Sequence, residues 1–295
     1  MYPCILRVLR VLRALFGKLL PHIRPLPETP LFLRPKIGYT FPHIQLSRLP
    51  CLSRLSCLSR LSCLSRLSCI SRLRRLPVPF TYTVFDLDET LYPTSAGLMQ
   101  DVARRITDWL QRHLGLGPEE ATHLREVYIH RYGTTLAGLL VEHREKVDVE
   151  DYLAYVHDVP IEGYLRPDPA LRAMLTGIPL RRVVFTNSSA EHSARVLNAL
   201  GIADLFERVV DIRALNFVHK PRREAYERLL ALLSAPGPAC ILIDDRVVNL
   251  QPAKALGMTT VLLNGPPQDG VDFAVGSVLE VGPLIQRLLA QERDS

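Results

Sequence analysis

From residue 80 onward, apolar residues fall into two textures. Short runs rich in Val, Ile and Leu occupy 82–87, 182–186, 208–212, 240–244 and 259–263. They are near-continuous rather than alternating, which predicts strands buried on both faces and hence a parallel sheet between helix layers. About 90 residues separate the first two runs, with helical periodicity over 96–114, 118–131, 135–146 and 149–156. They predict a helical insertion. The pattern divides the chain into an arm (1–79), a core (80–93 and 176–295) and an inserted helical cap (94–175).

The arm follows neither period. Leu or Ile recurs every third residue from Leu46 to Leu76, and the unit Cys-Leu-Ser-Arg-Leu-Ser repeats at 51, 57 and 63. An apolar stripe of that spacing winds around a helix instead of facing a core, so the segment reads as low-complexity or disordered. Residues 5–20 gather Arg7, Arg10, Arg13 and Lys18 on one helical side, a cationic amphipathic candidate for a membrane surface or a targeting signal. Translation starting near Val78 is an alternative that needs a non-ATG start, since no Met occurs between Met1 and Met99.

Charge sharpens the division. The net +6 hides 14 Lys and Arg but only one acid, Glu28, in residues 1–80, which carry +13 and leave −7 to the rest. The basic strip that Arg48, Arg54, Arg60, Arg66, Arg72, Arg74 and Arg75 form along the repeat lacks interleaved aromatics, so no specific nucleic-acid partner is expected. Cys51, Cys57, Cys63 and Cys69 are evenly spaced, unlike the close pairs of zinc sites. Only Cys240 lies in the body, which rules out a disulfide-built domain and points to a reducing cytoplasm. No run of 18 apolar residues occurs, so no transmembrane segment is expected.

Candidate chemistry sits at the ends of the strands, where ligands bind in parallel sheets. Asp86 and Asp88 end the first run, Thr186 and Asn187 the second, Asp244 and Asp245 the fourth, and Lys220 precedes Pro221. Carboxylates two residues apart at a buried strand end cannot both stay ionised without a cation, and Mg²⁺ prefers such oxygen ligands together with a substrate phosphate. Lys220, Thr186 and backbone amides near Leu87 and Asn187 would then neutralise and hydrogen-bond a phosphoryl group. Each piece alone has a plainer reading: turn chemistry for Asp86-Leu87-Asp88, helix capping for Asp244-Asp245 and Thr186-Asn187, a solvated loop for Lys220. Their conjunction, in order and each after an apolar strand, argues for a site.

These four elements, Phe85-Asp86-Leu87-Asp88-Glu89-Thr90-Leu91-Tyr92-Pro93, Phe185-Thr186-Asn187, Lys220-Pro221 and Ile243-Asp244-Asp245, resemble the ordered motifs of the haloacid-dehalogenase superfamily of phosphatases. More narrowly the chain is similar to their pyrimidine 5′-nucleotidase branch, through residues 132–139, 155–158 and 165–169. The resemblance covers about residues 80 to 285 and implies a Rossmann-like three-layer core.

It further implies that Asp86 is the nucleophile, passing through an aspartyl-phosphate, and Asp88 the general acid and base, work that suits a raised pKa. The metal ligands would be the Asp86 side chain, the Asp88 carbonyl and Asp245, with Asp244 acting through water. Thr186, Asn187 and Lys220 would hold the phosphoryl oxygens. Dehalogenases of the superfamily need only the first aspartate, so Asp88 and the acid pair favour phosphate chemistry.

Candidate base or ribose contacts in the cap are Arg131, Tyr132, Thr134, Thr135 and His157. The expected function is Mg²⁺-dependent hydrolysis of a small phosphorylated substrate, a pyrimidine nucleoside 5′-monophosphate. Sugar phosphates or other small phosphoesters are the alternative within the same chemistry. An inactive core carried by an arm that binds nucleic acid or membrane is the alternative of another class.

Overall fold

The structure, a computed structural model, describes residues 79–293. The arm up to residue 78, with its hexapeptide repeat and cationic helix candidate, lies outside the described residues.

Six parallel strands form one sheet in the order β3-β2-β1-β4-β5-β6. They are β1 (Tyr82–Phe85), β2 (Arg181–Phe185), β3 (Arg208–Val210), β4 (Cys240–Asp244), β5 (Thr259–Leu263) and β6 (Phe273–Val275). The sequence pattern anticipates the first five. The last is a three-residue edge strand, too short to register as a periodic run. β1 and β4 are buried at every position and stand in register, with Phe85 opposite Ile243. The acids that follow them therefore emerge side by side.

Ten helices accompany the sheet among the described residues. Between β1 and β2 come α1 (Leu98–Leu114), α2 (Pro118–Tyr132), α3 (Thr135–Glu142), α4 (Val149–Val156), α5 (Ile161–Tyr164) and α6 (Pro169–Thr176). After β2 come α7 (Ala190–Ala199), α8 (Arg223–Leu233), α9 (Val247–Ala255) and α10 (Val281–Arg293). The long helix expected over 135–146 stops at Glu142, where His143 leaves helical geometry and a short 3-10 turn covers Arg144–Lys146. The helix expected from residue 96 begins at Leu98, because Gly97 adopts φ +85°.

Packing explains the layers. Tyr82 and Val84 point to one face of β1, against Tyr226 and Leu229 of α8 and Leu250 of α9. Phe85 points to the other, with Val196 of α7, Leu171 of α6 and Ile285 of α10. Each such fully buried side chain contributes about 1.5–3 kcal/mol. The inserted helices have a cluster of their own: Trp109, Leu110, Tyr128, Leu139, Tyr152 and Leu153, joined by Ile212 from the loop after β3. Leu98, Val102, Ile161 and Leu171 of the same insertion pack instead with Phe85 in the sheet's own cluster.

Candidate active site

The loop after β1 carries Asp86 into the site and turns at Glu89, which sits at φ +62°. A non-glycine residue there costs about 1–2 kcal/mol, offset by what the turn positions. Asp86, Asp88, Thr186, Asn187, Lys220 and Asp245 line one cavity of about 240 Å³, together with Ser188, Thr134 and Thr135. Asp244 lies beneath it, fully buried. A larger open groove along α1, between Gln100, Arg104 and Arg125, holds none of these groups.

Lys220 is the hub. Its Nζ donates to Asp86 Oδ1 at 2.7 Å and to Asp244 Oδ2 at 2.8 Å, with the ring of Phe185 5.2 Å away. Burial disfavours the ammonium, but the charges of Asp244 and Asp86 overcome it and hold Lys220 protonated far above its ordinary range. Burial also pushes Asp86 up; Lys220 opposes the rise and Asp244 adds to it. Asp245 is raised to about 6, by burial first and by Asp244 second.

One ammonium therefore faces three carboxylates. Ligand oxygens of Asp86, Asp244 and Asp245 lie within 4.8 Å of one another. An all-oxygen, partly dehydrated set with excess negative charge fits a hard cation such as Mg²⁺ and is a poor set for a soft one. Asp244 already accepts from Lys220, the Arg246 amide and the Asn249 amide group, at 2.8–3.1 Å. Asp86 and Asp245 are less committed: each meets the Thr90 hydroxyl at 3.4 Å.

Asn187 is engaged with the lysine loop. Its side chain donates to the Lys220 carbonyl at 3.1 Å and accepts from the Lys220 amide at 2.8 Å, so it fixes the lysine loop instead of presenting its amide group to a ligand. Thr186 Oγ1 accepts from the Ser188 amide at 3.0 Å while lining the cavity.

Asp88 departs further. Instead of a raised pKa, its carboxyl is held well below the ordinary range. Burial pushes it up, but His192 and the hydroxyls of Ser188 and Tyr92 stabilise the anion more strongly. Tyr92 Oη donates at 2.7 Å and His192 Nε2 lies at 3.0 Å, both on Oδ1; Ser188 Oγ donates to Oδ2 at 2.6 Å. Sequence reasoning missed all three partners.

The cap candidates separate. Thr134 caps α3, accepting from the Ala137 amide at 3.1 Å, and Thr135 follows it, buried. Both border the acid cavity and an adjoining apolar pocket of about 160 Å³. Met99, Ile106, Leu136, Tyr152, Leu153 and Phe217 give that pocket its apolar walls. His157 also borders it, stacked on His192 with ring centroids 4.5 Å apart and pushed down to about 3, by burial first and by His192 second. Arg131 and Tyr132 are not brought to the cavity. They turn outward at the end of α2 toward Glu142 of α3, which pairs with Arg131 at 3.8 Å and accepts from the Tyr132 hydroxyl.

A family model described as haloacid dehalogenase-like hydrolase matches residues 83–257. Over 193 residues the chain is 31% identical to Phosphate metabolism protein 8 of Saccharomyces cerevisiae (strain ATCC 204508 / S288c), covering 60% of this chain and 60% of that protein. The chain thus spans about three fifths of that relative's length. Among solved structures it is similar to a HAD phosphatase from Thermococcus onnurineus, with a TM-score of 0.49 and 18% identity over 70% of this chain and 98% of that one. A 2-haloacid dehalogenase from Pseudomonas syringae pv. Tomato DC3000 gives 0.48 and 17%, over 71% and 99%. The matched span takes in every group around the cavity from Asp86 to Asp245 and more than half of the sequence, and the chain belongs to the haloacid dehalogenase-like hydrolase family.

Proposed function

We propose that the chain is a Mg²⁺-dependent phosphomonoesterase acting on pyrimidine nucleoside 5′-monophosphates. The observation that carries the reading is the buried contact of Asp86 with Lys220 inside an acid cluster that opens onto an apolar pocket. A haloalkanoate needs only the first aspartate; a phosphoryl group, with its higher charge, matches the lysine and the cation-binding set.

Asp86, Asp245 and the Asp88 carbonyl would hold Mg²⁺, and Asp244 would support it through water. When bound, the cation offsets phosphate charge and the mutual repulsion of the acids. Asp86 Oδ attacks phosphorus and the P–O bond to the nucleoside breaks, the departing oxygen taking a proton that Asp88 would take up as the phosphate dianion beside it raises its pKa. Asp88 then removes a proton from water, which attacks the aspartyl-phosphate phosphorus and releases inorganic phosphate and free Asp86. Lys220 and Thr186 neutralise and hydrogen-bond the phosphoryl oxygens, while Asn187 holds Lys220 in place.

We further propose that 94–175 acts as a cap over a core of 80–93 and 176–295. The apolar pocket between its helices and the loops after β2 and β3 suits a flat base better than a sugar, which would leave its hydrophobic walls unmatched. Thr134, Thr135 and His157 border the apolar pocket and would be the contacts to a base or ribose. A cytoplasmic location follows from cysteine usage, and a small phosphorylated compound is the partner expected. Phosphate release from UMP, CMP and TMP set against AMP, GMP and sugar phosphates, with and without Mg²⁺, tests the reading. Preference for the first three supports it, and equal rates across the panel remove the pyrimidine assignment.

A further inference from the structure

His192 has no place in the chemistry as laid out above, yet it is among the most enclosed polar side chains in the fold, 1% exposed. It enters from the first turn of α7, where Ser189 caps the helix by accepting from the His192 amide. Its ring meets Asp88 at the edge, at 3.0 Å from Nε2, and carries the stacked ring of His157 on one face. Nδ1 is buried without a partner among the described residues. A carboxylate can only accept, so Nε2 carries the hydrogen and donates it to Asp88. The ring is thus oriented toward one oxygen of one residue.

The arrangement of donors around Asp88 is asymmetric. An ionised carboxylate has about four lone-pair sites. Tyr92 and His192 fill both on Oδ1, while Ser188 fills one on Oδ2. Among the described residues, the site left open is on Oδ2. We propose that His192 is a positioning residue for the hydrolytic reaction: with Tyr92 it pins Oδ1, so that Oδ2 is the oxygen that gives a proton to the leaving group and takes one from water. The inference rests on the phosphatase reading above and adds to it a residue and a chosen oxygen. Protonated on Oδ2, the carboxyl keeps all three hydrogen bonds, so Asp88 cycles between acid and base without rotating.

The test uses leaving groups. An alkyl phosphate expels a poor leaving group and needs the proton from Asp88; p-nitrophenyl phosphate expels a good one and needs it little. kcat/KM, which reports through departure of the leaving group, is measured for both substrates in four variants with Mg²⁺ present. Asp88→Asn sets the scale. His192→Gln places an amide donor near the original Nε2, and His192→Asn stops short of it while remaining polar. The fourth is the double variant Asp88→Asn/His192→Asn.

The ratio of alkyl to p-nitrophenyl kcat/KM should fall at least tenfold in His192→Asn and stay within threefold of the unsubstituted protein in His192→Gln. The double variant should show no further fall beyond Asp88→Asn. Parallel losses on both substrates, equal behaviour of the Gln and Asn variants, or additive losses in the double variant overturn the proposal. Should the unsubstituted protein hydrolyse neither ester, or Asp88→Asn leave the ratio unchanged, the phosphatase reading itself fails and takes this inference with it.

Discussion

Lys220 Nζ lies 2.7 Å from Asp86 Oδ1, and the two side chains are 2% and 10% exposed. Asp244, fully buried, shares the same ammonium. Removing one member of such a set strands the others as uncompensated buried charge, which costs about 3–5 kcal/mol. Lys220→Met should therefore lower unfolding free energy by about that amount in urea, and turnover by roughly 10²-fold or more through the lost electrostatic contribution. Mg²⁺ should return part of the stability, because a cation takes over some of the lost charge, but not the turnover. Unchanged stability without metal would mean that Lys220 does not hold the acids together.

Asp245 gives a pH signature of unusual sign. Burial, then the charge of Asp244, raises its folded pKa from 3.8 to about 6. A raised pKa means that the folded state keeps a proton which the unfolded chain has already released. The associated stability is complete below about pH 4 and is lost as pH rises through about 6. Asp245→Asn does not titrate there. In chelator, its unfolding free energy relative to the unsubstituted protein should grow between pH 4 and 6 and then level off, by about 1–3 kcal/mol. Saturating Mg²⁺ binds the ionised form and should reverse the order of the two proteins near pH 7. A difference that stays flat with pH in chelator argues against a raised Asp245.

Much of this site was legible in the sequence because its chemistry follows directly on buried strands. An acid after Phe85 or Ile243 emerges at the open end of a parallel sheet, so the convergence of Asp86, Asp244 and Asp245 needed no distances, whereas Lys220, ten residues beyond the end of β3, was found only through the motif resemblance. His192 could not be read the same way. It lies 104 residues from Asp88 in sequence, on a helix where a one-residue rotation would point it elsewhere. Two of the donors on Asp88, Ser188 and His192, were hidden for the same reason, since they come from a segment about 100 residues away. Arg131 and Thr135 are four residues apart, yet only Thr135 faces the cavity. The Gly133 turn between α2 and α3 decides that, and periodicity within either helix does not.

That turn leads to a substitution test. Gly133 has φ +89°, and a Cβ there would stand 2.5 Å from Cε1 of His219. His219 is buried, and its Nδ1 donates to the Lys220 carbonyl at 2.8 Å. Gly133→Ala should thus strain the backbone by about 1–3 kcal/mol and, by moving His219, displace the lysine. Both kcat and thermal stability should drop. Gly163, in α5, has open space where its Cβ would be, so Gly163→Ala serves as the control and should be neutral or mildly stabilising. Equal effects of the two substitutions would disconnect the Gly133 turn from the lysine loop.

Thr135 offers the sharpest probe of what the apolar pocket receives. Its hydroxyl is buried without a partner among the described residues, and the residue borders both the acid cavity and the apolar pocket. An unpartnered buried hydroxyl lowers stability in the empty protein and is tolerated best where a ligand completes it. Valine has nearly the same shape. Thr135→Val should leave Tm unchanged or raise it, since a desolvated polar group is removed. It should raise KM for UMP about 2- to 12-fold, the range of one net hydrogen bond of about 0.5–1.5 kcal/mol, with kcat little altered because the reacting atoms lie elsewhere. For p-nitrophenyl phosphate, which has no ribose or base, KM should not move. A Val variant with unchanged KM for UMP takes Thr135 out of the substrate site. A large loss of Tm would instead assign its hydroxyl a structural partner among the inserted helices.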